Sequence, residues 1–161
     1  MSADHNIIGR ESADAVHESS HAVTAHCAGF AVLSVDIIAR GDFRGQCRWT
    51  PPRPDPRGKL VVVVAGIVGE GLAGFPYRPD LTMGNDFQQA RILVRQIAGV
   101  DAGDAVYARI IATAMDAANR LLVERWEAVE TIARLLVRDG SVSGAAVART
   151  MELATLQGGS S

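Results

Sequence analysis

From Tyr107 to Leu136 the apolar residues recur at helical spacing: Tyr107, Ile110, Ile111, Ala114, Ala118, Leu121, Leu122, Val129, Ile132, Leu135 and Leu136. Steps of three and four carry one face of an α-helix, so this span predicts about 30 residues of amphipathic helix, straight or kinked, closed by Gly140. A chain of 161 residues is one domain's worth, and so long a helical stripe commits it to helices packed around a single core. The rest of the pattern agrees. Ala13, Val16, Ser20, Val23 and Cys27 mark a first helix over 12–28, stopped at Gly29. Phe87, Ala90, Leu93, Val94 and Ile97 mark another, closed by Gly99, and Ser143 can cap a last helix reaching Thr155.

Strand signals are few. Val35, Ile37 and Ala39 alternate with Ser34, Asp36 and Ile38, the period of two that predicts a strand over 32–40. The segment 41–58 is rich in Arg, Pro and Gly, and Pro51, Pro52, Pro54 and Pro56 predict a loop. Residues 59–73 mix a run of four consecutive valines with three glycines and read as a buried helix rather than a strand. The fold class expected is mainly α (α+β), with one small β element. The organisation expected is a flexible N-terminus over 1–11, a domain over 12–156 and a disordered tail over 157–161.

Sixteen basic and eighteen acidic side chains leave a net charge of −2, which gives no electrostatic footing for nucleic acid or an anionic membrane. The arginines at 44, 48, 53 and 57, interleaved with proline, read as a solvated loop. The longest apolar run, 60–68, falls short of the roughly 20 residues that cross a bilayer. Cys27 and Cys47, with no apolar leader after Met1, predict reduced thiols and a cytoplasmic address.

The chemistry concentrates in the first helix, where His17, Glu18, Ser19, Ser20 and His21 form an H-E-x-x-H sequence. Residues four apart lie about 40° from each other around a helix, so both imidazoles can reach one tetrahedral zinc ion. Glu18 stands beside them, placed to take a proton from a zinc-bound water as general base. A third ligand is needed. Cys27 lies too far around the helix and reads as a packed core thiol, and His26 lies on nearly the opposite face from His17. Glu70 and Asp86 are the acidic candidates downstream.

The order of His17 to His21, the strand ending Asp36-Ile37-Ile38-Ala39-Arg40-Gly41, Gly69-Glu70-Gly71-Leu72, and then Gly84-Asn85-Asp86-Phe87-Gln88-Gln89-Ala90 resembles the peptidase domain of the FtsH family of ATP-dependent zinc proteases. The resemblance runs over about residues 12–150. It implies a helical metalloprotease domain with Zn2+ on His17, His21 and Asp86, Glu18 as the catalytic base, and Glu70 behind the ligands rather than on the metal. It also favours the reading of Val35, Asp36, Ile37, Ile38, Ala39 and Arg40 as an exposed edge strand that holds a polypeptide substrate by strand addition. The chain departs from the family in lacking a G-x-x-x-x-G-K-[ST] phosphate loop, so a separate ATPase or other delivery partner is expected to present substrate. Homo-oligomers are expected too, a hexamer among them, with Trp126 and the apolar surface of 107–136 at the contact. The expected activity is zinc-dependent hydrolysis of peptide bonds in unfolded or delivered polypeptides. The alternative is a non-catalytic zinc-binding adaptor that keeps the peptidase fold.

Overall fold

The computed structural model describes residues 10–38, 45–77 and 85–158, the side chains of 10–12 and 157–158 excepted. It is mainly helical, 72% helix, with a small three-stranded antiparallel sheet. The elements in chain order are α1 (Arg10–Cys27), β1 (Ala31–Asp36), β2 (Gln46–Thr50), α2 (Pro56–Leu72), α3 (Asn85–Ala98), α4 (Asp104–Glu124), α5 (Trp126–Asp139), β3 (Ser141–Ser143) and α6 (Gly144–Gly158). No helix among the described residues is long and apolar enough to cross a membrane.

α1 is the central helix. Ala13, Ala15, Ala22, Val23 and Ala25 are all buried on it, and so are the polar Ser19, Ser20 and Thr24. Small side chains let neighbours approach from several directions, and the helix packs against α2, α5 and the sheet. The buried hydroxyls of Ser19 and Ser20 donate to the carbonyls of Ala15 and Val16 at 2.6 and 2.7 Å, which relieves their desolvation. α2 is apolar nearly all round, with Leu60, Val62, Val63, Val64, Ala65 and Val68 buried. It crosses α1 closely because two of its glycines face that helix. A Cβ at Gly69 would fall on the Ser20 side chain, and one at Gly66 on the His17 ring.

The stripe of 107–136 turns inward. Ala114, Ala118 and Leu122 of α4 and Val129, Ile132 and Leu136 of α5 are buried in the main core, and Trp126 packs partly buried against it. The helices are two rather than one. Arg125 leaves helical geometry at φ −115°, ψ 19°, and its N–H is shared between the carbonyls of Leu121 and Leu122. Gly140 closes α5 at φ 76°, where its N–H donates to Leu136 O at 2.7 Å. That left-handed turn suits glycine and leads directly into β3.

The segment 41–58 is not a continuous loop. β2 occupies 46–50, and α2 starts at Pro56, where the missing N–H costs nothing because a first-turn donor has no intrahelical partner. The Asp55 carboxylate caps that turn by accepting from Gly58 N at 2.8 Å. β1 is also shorter than the 32–40 expected, ending at Asp36. The strand order is β2-β1-β3, with Val35 opposite Cys47 on one side and Val142 on the other. Ser143 ends β3, and its hydroxyl accepts from Ala146 N at 3.2 Å, the capping role expected of it.

Candidate metal centre

Three helices meet at one point. His17 and His21 come from α1, one turn apart on the same face. Asp86 comes from the first turn of α3 and Glu70 from the last turns of α2. His17 Nε2 lies 2.9 Å from Asp86 Oδ2, His21 Nε2 lies 3.1 Å from the same oxygen, and the two Nε2 atoms are 3.0 Å apart. The rings meet edge to face, with centroids 4.7 Å apart and planes at 79°.

The tautomers follow from the other ring nitrogens. His21 Nδ1 donates to the carbonyl of Val62 at 2.7 Å, an oxygen that can only accept. His17 Nδ1 donates to Glu70 Oε1 at 2.6 Å. With both Nδ1 protonated, each neutral ring presents a lone pair at Nε2, and these face each other and a carboxylate oxygen across about 3 Å. Three electron-rich atoms in a nearly equilateral triangle repel unless a cation or protons stand among them. Tetrahedral zinc ligands at 2.0–2.1 Å are about 3.3 Å apart, so the triangle fits such an ion with a few tenths of an ångström of expansion. Two imidazoles and a carboxylate also form the three-ligand donor set that leaves a fourth position open in catalytic zinc sites.

Protonation is the other way to relieve this triangle, and the ring pKa values move in that direction. Burial works against charge on His17, but the hydrogen-bonding carboxylates of Asp86 and Glu70 outweigh it and raise the ring to about 10. His21 is buried as well and is raised by Asp86. Burial would raise Asp86, but His21 and His17 hold its carboxyl far below the usual range.

Glu18 is buried beside the ligands, 8% exposed. Burial pushes its carboxyl up, and the neighbouring His21 and His17 pull it back. Gly45, at the start of β2, leaves room for it: a Cβ there would stand 2.7 Å from Glu18 Oε1.

The residues expected from sequence thus separate into two groups. His17, Glu18, His21, Asp86 and Glu70 come together, with His17, His21 and Asp86 as a group that could hold a metal ion and Glu70 on the far nitrogen of His17. The reading of Val35 to Arg40 as an exposed edge strand needs correction. β1 is the central strand, Val35 and Asp36 pair on both sides, and Ile37 N donates to Gly140 O at 3.0 Å. Ile38 is exposed beyond the strand, and Ala39 and Arg40 lie outside the described residues. Cys27 is an exposed thiol rather than a packed one, because the chain turns at Gly29 immediately after the helix. Three contributors were missed from the sequence: the Val62 carbonyl, Gly66 and Gly45. A backbone carbonyl leaves no residue-type signal. The glycine at 66 did leave one, as a gap in an apolar helix where the His17 ring sits.

The chain matches no protein-family model and no curated protein sequence.

Gly66 supplies a direct test of this geometry. Gly66→Ala places a methyl 2.5 and 2.7 Å from Cε1 and Cδ2 of a rigid ring, so His17 or α2 has to move. The expected result is a loss of about 1–3 kcal/mol by chemical denaturation, despite alanine's better helix propensity, with weaker zinc binding in a competition titration.

Proposed function

We propose that the chain is a zinc metallopeptidase that hydrolyses peptide bonds of unfolded or delivered polypeptides. The observation that carries this reading is the convergence of His17 Nε2, His21 Nε2 and Asp86 Oδ2 on one point, with the Glu18 carboxylate buried beside it. Zinc, when bound, lowers the pKa of a water ligand to about 7 and polarises a substrate carbonyl. The chain does the rest. Glu70 and the Val62 carbonyl fix the tautomer and angle of the two rings, so that both ligands are held before metal arrives. Glu18 accepts the proton of the attacking water on its carboxylate and hands it to the leaving amide nitrogen. Because Gly45 closes over Glu18, the carboxylate is kept out of bulk solvent while it holds that proton.

The resemblance of the helical motif, Glu70 and the Asn85-Asp86 pair to the FtsH peptidase domain supports the same reading. It makes a ring of copies and a separate ATPase part of the proposal. Light scattering tests the ring: a monodisperse particle of 17.0 kDa, one chain's mass, would reject it.

The test of activity is turnover of an unfolded protein such as casein by zinc-loaded protein. Chelator should abolish it and zinc should restore it. A zinc-loaded protein that leaves every unfolded substrate intact would instead support the adaptor reading.

A further inference from the structure

Gly66 and Gly69 turn one side of α2 toward α1 and the metal centre. At about 100° per residue, Ile67, Val68 and Gly71 come round to the opposite side of the helix. An open cavity of about 510 Å³ lies there, between the end of α2, residues 75–77 and the middle of α4. Its walls are apolar, formed by Ile67, Val68, Leu72, Phe75, Tyr77 and Met115. Leu72, Tyr77 and Met115 are 38%, 68% and 37% exposed, so three large apolar side chains converge on one opening instead of standing singly on the surface. The volume falls within the roughly 300–1,000 Å³ of small-molecule sites. A small organic molecule is the occupant that this size suits.

The polar groups of the cavity are Glu70, Asp116 and Asn119. Glu70 is buried and its Oε1 accepts from His17 Nδ1. Asp116 and Asn119, three apart on α4, are both exposed and stand side by side at the rim. Asp116 makes no ion pair among the described residues, Arg120 one turn further along α4 included. No basic side chain among the described residues lines the cavity, and Arg78, next after Tyr77, lies outside them. A carboxylate can only accept hydrogen bonds, the Asn119 carbonyl accepts as well, and the faces of Phe75 and Tyr77 attract a cation. An ammonium group, with three donors and no acceptor, matches this rim. A carboxylate or phosphate would meet like charge at Asp116.

We propose that this cavity binds a small amphipathic amine, its ammonium on Asp116 and Asn119 and its hydrocarbon body against Phe75, Tyr77 and Met115. The site goes beyond the peptidase reading and does not rest on it, since neither zinc nor Glu18 takes part.

Three probes of nearly one shape test the charge: phenylbutylamine, the neutral phenylbutanol and the anionic phenylbutanoate. Each is titrated into the full chain carrying isotope-labelled methionine methyl groups, the Met115 signal being identified by its loss in Met115→Leu. The amine should move the Met115 signal and leave that of Met151, buried in the core, in place. It should bind about three- to tenfold more tightly than the alcohol at low salt, with the gap closing at high salt, and the carboxylate should bind more weakly than either. Asp116→Asn, an exposed and nearly isosteric change, should bring the amine down to the level of the alcohol and leave the alcohol unchanged. Equal binding of amine and alcohol, a Met115 signal that none of the probes moves, or a preference that survives Asp116→Asn would each overturn the proposal. So would a Met115 signal that shifts with protein concentration alone, which would seat a second copy of the chain on the cavity.

Discussion

Glu18→Gln is expected to leave zinc bound at the level of the parent protein and to slow peptide hydrolysis by about 100- to 10,000-fold, the usual range for loss of a general base. Glutamine has nearly the same shape, so the packing against Gly45 survives and the neighbouring ligands keep their positions. What disappears is a group able to hold a proton between the attacking water and the leaving nitrogen. Initial rates on a fluorogenic peptide, with zinc content measured on the same sample, check both halves at once. Cleavage at the parent rate would mean that Glu18 only neighbours the metal.

Asp86 and Glu70 are expected to differ in kind. Asp86 touches both Nε2 atoms through one oxygen, so Asp86→Ala removes a ligand and leaves two imidazoles to hold the ion. Zinc should then be lost on dialysis against a weak chelator. Glu70 meets His17 at its far nitrogen, away from the point where the three donor atoms converge, so Glu70→Gln keeps those donors but weakens the clamp that fixes the ring. Loss of such a supporting contact typically costs about 10- to 100-fold in metal affinity. A competition titration with a chromophoric chelator should place Glu70→Gln within that interval and Asp86→Ala beyond it. Zinc retained by Asp86→Ala and lost by Glu70→Gln would reverse the two assignments.

How far the sequence could be read follows from the range of each interaction. The histidine pair on α1 was legible because its spacing is local: four residues on a helix put His17 and His21 on one face whatever surrounds them. Asp86 and Glu70 were legible as candidates, while their division into ligand and support depends on how α2 and α3 cross α1, which no local pattern specifies. β2 was hidden because Gln46 to Thr50 is short and stands between Gly45 and Pro51, so the turn residues around it dominated the reading. The proline at 56 was taken as a helix breaker although it stands at the first position of α2, where proline is favoured. The exposed-edge expectation for β1 failed for a longer-range reason. Alternation identifies a strand but not its neighbours, and β3, which covers the second side of β1, lies more than 100 residues away in the chain. The apolar stripe of 107–136 was correctly seen as helical, yet its burial in the chain's own core could be known only once α4 and α5 were placed.

The most direct test of the metal centre is anomalous diffraction at the zinc edge from crystals of the full chain grown with equimolar zinc. A single strong peak within bonding distance of His17 Nε2, His21 Nε2 and Asp86 Oδ2 is the predicted result. No peak there, or a peak held by other side chains while these three atoms keep their contacts, would contradict it.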